Sequence, residues 1–332
     1  MKSKDDVILE VRDLHIDFKT DSGLVKATDG VNLYLRRGET LALVGESGSG
    51  KSVTGLGIMR LVPNPPGTIR SGEILFEGQN ILKFSPKQLR QLRGNRISMI
   101  FQDPMTSLNP FMKISSQLME TIIIHQKLSK KQAQLKAIEM LDLVGIPNAE
   151  KCIHMYPHQF SGGMRQRVMI AIALSCRPDV LIADEPTTAL DVTIQSQIIE
   201  LMQSLSKEMG TAIIIITHDL GVVAGMSHRV SVMYAGRIVE TGTNEEIFNN
   251  PSHPYTKGLI QSVPRLDQES HKSLYTIGGS PPNLANLPQA CYFHTRCPKV
   301  MDICRNQYPP IKNISETHRS ACWLNHNEKE PR

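Results

Sequence analysis

No stretch of this 332-residue sequence strings together the roughly 18 to 20 apolar residues that a membrane-spanning helix needs. Its most apolar runs, residues 168–176 and 212–216, are the size of core elements. Residues 1–6 are not expected to be a secretory leader: they carry charges of both signs with no apolar stretch behind them. The chain is therefore expected in the cytoplasm, at a membrane only if another protein anchors it. A large excess of one charge is missing too. Thirty-seven basic against 32 acidic residues leave +5, which gives no argument for a nucleic-acid partner. Cysteine is scarce, six in all and unevenly placed, which excludes a small secreted disulfide framework. There is no internal repeat and no low-complexity tract.

What is present reads as about two domains at roughly 150 residues each. Hydrophobic residues at 40% and charged residues at 21% are ordinary for globular chains. Composition changes near residue 250: ten of the 20 prolines and four of the six cysteines lie beyond it. Proline removes a backbone donor and restricts the residue before it, so few regular elements are expected there. Upstream, residues 7–11, 31–35, 40–44, 97–101, 180–183, 212–217 and 229–233 read as strands. Runs such as 180–183 are apolar on both faces, as buried parallel strands are. Ser129, with Gln132 three residues on, forms a capping-box pattern before Leu135, Ile138 and Leu141, and Gly145 and Pro147 end that helix. Ile194, Ile198, Leu201 and Leu205 make another helical stripe. Alternating strands and helices predict an α/β fold with a largely parallel sheet.

Gly45-Glu46-Ser47-Gly48-Ser49-Gly50-Lys51-Ser52 matches the full phosphate-loop pattern G-x-x-x-x-G-K-[ST]. An apolar strand leads into it. Gly45, Gly48 and Gly50 allow a tight turn whose N–H groups converge on phosphate oxygens. The helix start near Lys51 adds the positive end of its dipole. Lys51 is placed for the β- and γ-phosphates and Ser52 for Mg²⁺. A nucleotide site also needs acidic groups. Asp184 ends the apolar run 180–183, where it can hold Mg²⁺ through water. Glu185, its neighbour, points elsewhere because strand side chains alternate, which suits a base at the γ-phosphate.

Further segments carry a resemblance. Residues 160–167, Phe-Ser-Gly-Gly-Met-Arg-Gln-Arg, resemble the signature motif of ABC-type ATPases. Gln102 is placed as that family's Q-loop glutamine, which the resemblance implies senses the Mg²⁺ held by Ser52 and Asp184, with Ala189-Leu190-Asp191 as the D-loop and His218 as the switch histidine. The resemblance covers about residues 7–250. It implies a P-loop NTPase fold of ABC type with a helical signature subdomain, and hydrolysis of ATP with Mg²⁺. It also implies that Ser161, Gly162, Gly163 and Asp191 face nucleotide held by a second ATPase subunit. Phe18 matches the aromatic that stacks on adenine, although a core residue at a strand end would look the same. Met164 stands where many members have Gln, so a ribose hydrogen bond from that side chain is not expected.

Within that family the chain resembles the D-type ATPase subunits of oligopeptide and dipeptide permeases. The resemblance is carried by residues 45–52, Phe101 to Pro110 (FQDPMTSLNP) and 161–167, with His253-Pro254-Tyr255-Thr256 and Pro281-Pro282-Asn283-Leu284. It implies an ATP-binding domain over 7–255 and a loop-rich extension over 256–332. It further implies a peripheral protein on the cytoplasmic face that powers peptide import. The expected partners are a distinct paralogous ATPase, two integral-membrane permease subunits and, indirectly, an extracellular substrate-binding protein. Nickel importers share much of the pattern, and a soluble, non-transport ABC ATPase is a further alternative. In the extension, Cys291, Cys297, Cys304 and Cys322 are spaced C-x₅-C-x₆-C-x₁₇-C. Four thiolates so spaced could surround a metal, either zinc or iron–sulfur, or remain free thiols. The permease resemblance implies a [4Fe–4S] cluster.

Overall fold

The computed structural model describes residues 6–21, 23–103, 107–188, 190–263 and 276–326. The chain divides into two compact units. One comprises Met1–Leu9, Leu35–Thr40 and Phe76–Ile216, the other Glu10–Tyr34, Leu41–Leu75 and Thr217–Arg332.

The first unit is built on β6 (Ile97–Ile100), β7 (Val180–Asp184) and β8 (Ala212–Thr217). They pair in parallel, with Ile97 opposite Val180 and Val180 opposite Ala212. Every residue of the three strands is buried. The unbroken apolar runs read from the sequence are thus strands covered on both faces. Between β6 and β7 the chain forms α3 (Ile114–Gln126), α4 (Lys130–Leu143), α5 (Ala149–Cys152) and α6 (Gly162–Leu174). The capping box at Ser129 forms as expected, Gln132 N–H donating to Ser129 Oγ and the Gln132 side chain accepting from Ser129 N–H. The buried face of α4 is Ala133, Ala137, Met140 and Leu141, while Leu135 is exposed. After β7, α7 (Val192–Met209) buries Ile198, Met202 and Leu205 and ends at Gly210 in the left-handed region.

In the second unit, β1 (Val7–Thr20), β2 (Gly23–Arg36) and β4 (Gly67–Phe76) form a sheet in the order β2-β1-β4. Both β1 and β2 run 14 residues, well past the short apolar segments that announced them. Their polar positions are paired, as where Asp13 N–H donates to Asn32 Oδ1. β3 (Thr40–Val44) pairs in parallel with β9 (Arg229–Tyr234), which turns antiparallel into β10 (Arg237–Thr243).

Beyond residue 250 the described chain has α10 (Pro254–Gln261), α11 (Asp302–Asn306) and two two-residue strands, β11 (Lys312–Asn313) and β12 (Arg319–Ser320). Apart from a 3-10 turn at Trp323–Asn325, the remainder is loop. β12 pairs antiparallel with β10, Glu240 opposite Ser320. Glu240, 1% exposed, anchors this join. It accepts from Ser252 N–H at 2.6 Å, His253 N–H at 3.0 Å and His318 Nε2 at 2.7 Å. Burial pushes the Glu240 carboxyl up, but those hydrogen bonds outweigh it and hold its pKa below the usual range. Tyr234, Tyr255 and Phe293 form an aromatic cluster with ring centroids 4.6 to 5.4 Å apart.

Candidate functional site

In the second unit, β3 delivers the chain into residues 45–50, and α1 (Lys51–Ile58) leaves it. Glycine is needed at two positions. A Cβ on Gly45 would run into the Met233 carbonyl oxygen. Gly50, the N-cap of α1 at φ +103, would drive a Cβ into the Ala27 carbonyl oxygen. Lys51, 4% exposed, curls back so that Nζ donates to Gly45 O at 2.8 Å and Glu46 O at 2.9 Å. Ser47 and Gly48 are exposed, and Ser52 is half-buried. Ser49 Oγ is buried with no hydrogen-bond partner among the described residues. A cation inside a glycine loop, an orphaned hydroxyl and a helix start together fit the phosphates of a nucleotide. On the same unit, Asp219 caps α8 (Leu220–Met226) and leaves His218 exposed just after β8. Phe18 is half-buried on β1, its ring packed over Gly67.

In the first unit, the ends of β6 and β7 bring two expected residues together. Gln102 Nε2 donates to Glu185 Oε2 at 2.9 Å, and Thr188 Oγ1 donates to the same oxygen at 2.9 Å. Glu185 lies at φ +46, in the left-handed region that non-glycine residues seldom adopt. Its N–H donates to Ile216 O at 2.8 Å, which fixes the turn. Asp184 is buried at the strand end, 5% exposed. The sequence marked Gln102 and Glu185 separately and missed Thr188, whose only signal is its place three residues after the glutamate.

The signature segment begins α6. Ser161 is its exposed N-cap, accepting from Met164 N–H at 3.3 Å. Gly163 lies so close to Ile194 that a Cβ would come within 3.0 Å of Cγ2. Asp191 is the exposed N-cap of α7, and Gln195 Nε2 braces the approach by donating to Thr187 O and Leu190 O. Ala189 of the expected D-loop and residues 104–106 of the segment after Gln102 lie outside the described residues. So do residues 264–275 and 327–332 of the extension.

The cysteine tail requires a correction. Cys291, Cys297, Cys304 and Cys322 are free thiols. Among the described residues, no group of three or more His, Cys, Asp or Glu is arranged to hold a metal ion. The [4Fe–4S] reading is therefore overturned, and zinc falls with it. Here burial pushes the Cys291 thiol up to about 12 and the Cys322 thiol up to about 11, with the neighbouring thiols adding to both. Cys304 and Cys322 are 7% and 8% exposed and act as packing groups.

A strand, a lysine-filled glycine loop and a helix define a P-loop ATPase. The ABC transporter family model matches residues 28–188, and the model for the oligopeptide/dipeptide transporter C-terminal region matches residues 239–304. The oligopeptide transport ATP-binding protein OppD of Bacillus subtilis (strain 168) is 56% identical over 96% of this chain and 89% of its own length. The dipeptide transport ATP-binding protein DppD of the same organism is 51% identical over 96% of this chain and 94% of its own. Among solved structures, the dimeric post-hydrolysis state of the ATP-binding cassette MJ0796 bound to ADP and Pi aligns with a TM-score of 0.64. It is 26% identical and covers 71% of this chain and 98% of its own. The chain belongs to the ABC transporter ATP-binding proteins, in the oligopeptide/dipeptide transporter branch. Among the described residues, no helix is long and apolar enough to cross a membrane.

Proposed function

We propose that this chain is the ATP-hydrolysing subunit of an ABC importer that takes up oligopeptides or dipeptides. The observation that carries the reading is identity above 50%, along 96% of the chain, to ATP-binding proteins named for oligopeptide and dipeptide transport. The loop of residues 45–52 binds the phosphates of ATP, with Lys51 as its cation. Ser52 and Asp184 serve Mg²⁺, which when bound neutralises charge that builds up on the phosphates. Glu185 is the base that takes a proton from water. Its carboxylate is oriented by Gln102 and Thr188, the fixed geometry a base requires. His218 contacts the γ-phosphate and Phe18 stacks on adenine. Ser161, Gly162, Gly163 and Asp191 face the nucleotide of a second ATPase subunit, a distinct paralogue.

The importer is completed by two integral-membrane permease subunits, and an extracellular binding protein is reached through them. The chain lies peripherally on the cytoplasmic face, with its ATPase domain over 7–255 and its extension over 256–332. Uptake of a labelled peptide pool by cells carrying wild type or Glu185→Gln tests this, with radioactive nickel uptake in parallel. Peptide uptake is expected to fall to background and nickel uptake to stay unchanged. Loss of nickel uptake alone would move the cargo to the metal importers, and no loss of either would overturn transport.

A further inference from the structure

The C-terminal segment reaches the phosphate loop through one guanidinium. Arg296 Nη1 and Nη2 donate to the two carboxylate oxygens of Glu46 at 2.7 and 2.9 Å. Nη1 also donates to Tyr234 Oη at 3.3 Å, Nη2 to Ile277 O at 3.2 Å and Nε to Gly278 O at 2.9 Å. All the donor positions of a guanidinium are thereby used, in the planar fork that lysine cannot reproduce. The Arg296 side chain is only 4% exposed, while Glu46 keeps 27%. The other polar groups of Glu46 are held as well. Its N–H donates to Tyr255 Oη at 2.8 Å, and its carbonyl accepts from Lys51 Nζ at 2.9 Å.

Glu46 is the second residue of the glycine loop, and its fixed negative charge has the sign of a phosphate. Left unpaired, it would repel the ligand that Lys51 attracts, and it could swing toward the loop's open side. Tyr255 and Arg296 prevent both. Their sequence distance from Glu46 is 209 and 250 residues, so neither contact is visible in the loop motif.

We propose that Arg296 is a positioning residue for nucleotide binding: it cancels the charge of Glu46 and keeps it turned away from the phosphate cradle, while Tyr255 takes up the Glu46 amide. This rests on the reading of residues 45–52 as the ATP-phosphate site. Arg296 touches no nucleotide in this scheme and acts wholly through Glu46.

Titration of the full-length chain with a fluorescent methylanthraniloyl-ATP and Mg²⁺ tests it, with a thermal melt to check each variant's folding. Arg296→Ala is expected to raise Kd by about 30-fold, because removing one partner of a buried fork leaves an uncompensated charge. Adding Glu46→Gln to Arg296→Ala removes that charge, and Kd is expected to return to within about threefold of wild type. A merely structural brace would not be rescued this way, since the double variant also lacks the fork. Should Arg296→Ala fail to fold, Arg296→Lys with and without Glu46→Gln reads the same couple, the single variant weakening binding by about fivefold. Wild-type affinity in the folded Arg296 variants, or no rescue by Glu46→Gln, overturns the proposal. Lys51→Ala is measured beside them. If it binds nucleotide as wild type does, the phosphate-loop reading itself fails. If Lys51→Ala loses binding and the Arg296 variants do not, only the role of Arg296 falls.

Discussion

The phosphate loop of one unit and the carboxylate edge of the other both stand at the ends of buried parallel strands, but they are held over very different reaches. Glu185 Oε2 accepts from Thr188, three residues on, and from Gln102 at the end of a neighbouring strand in its unit. The phosphate loop is held from inside by Lys51 and from outside by Tyr255 and Arg296, more than 200 residues away in sequence. Both of these contacts to the carboxylate come from side chains at the chemistry itself. The loop can be damaged from the far end of the chain. The same contrast separates effects on turnover from effects on binding.

The sharpest break in this comparison is Glu185→Gln. Loss of the base should lower ATP turnover by more than about 100-fold, while equilibrium ATP binding stays near wild type. Steady-state hydrolysis beside a binding titration checks both halves. Next in size is a pH effect on the loop's outer support. His253, fully buried beside the aromatic cluster, has its pKa lowered to about 4 by burial, against an ordinary value of 6.5. It stays neutral in the folded chain while the unfolded chain takes up a proton, so stability falls as pH drops from 6.5 toward 4. The loss over that window should be about 3 kcal/mol. Denaturant titrations at pH 7 and pH 4.5 should show it, and His253→Gln should flatten it.

Thr188→Val comes third. It removes a hydrogen-bond donor to Glu185 Oε2 and should lower kcat about tenfold with KM for ATP unchanged. A rise in KM instead would mean that the carboxylate edge takes part in binding and would erase the contrast. Smallest is Tyr255→Phe, which deletes one hydrogen bond to the loop. It should weaken nucleotide affinity by about fivefold, roughly 1 kcal/mol, and leave kcat alone.

What could be read from the sequence follows the same division. The strands of residues 180–184 and 212–217 were legible because burial on both faces leaves no polar position to interrupt the pattern. The phosphate loop was legible because its motif is local: its glycines, Lys51 and Ser52 fall within eight consecutive positions, although Tyr255 and Arg296 that hold it from outside do not. The capping box at Ser129 fixed the start of α4 and Leu141 is buried as its stripe suggested, but Leu135 was misplaced. Alanines at 133 and 137 form its buried stripe, and their small side chains carry little hydrophobic signal beside Leu135, which faces solvent. In β1 and β2 the apolar pattern lapses around Arg12, Asp13 and Asn32, where cross-strand pairing rather than burial continues the strand. The tail misled for a different reason. Cysteine spacing cannot report whether the thiols are arranged around a common centre, and among the described residues they are not arranged to hold a metal. Nor could any spacing rule connect Arg296 to Glu46.

The pairing of β12 on β10 has a further consequence for how the chain tolerates truncation. Ala321 N–H donates to Val239 O at 2.8 Å, and Glu240 stands opposite Ser320, so the tail occupies the hydrogen-bonding margin of β10. A product cut short before β12 would leave that margin bare, a template on which another chain could add its own strand. Residues 319–321 thus cover that margin against self-association, and premature termination before them should surface as aggregation before it surfaces as lost catalysis.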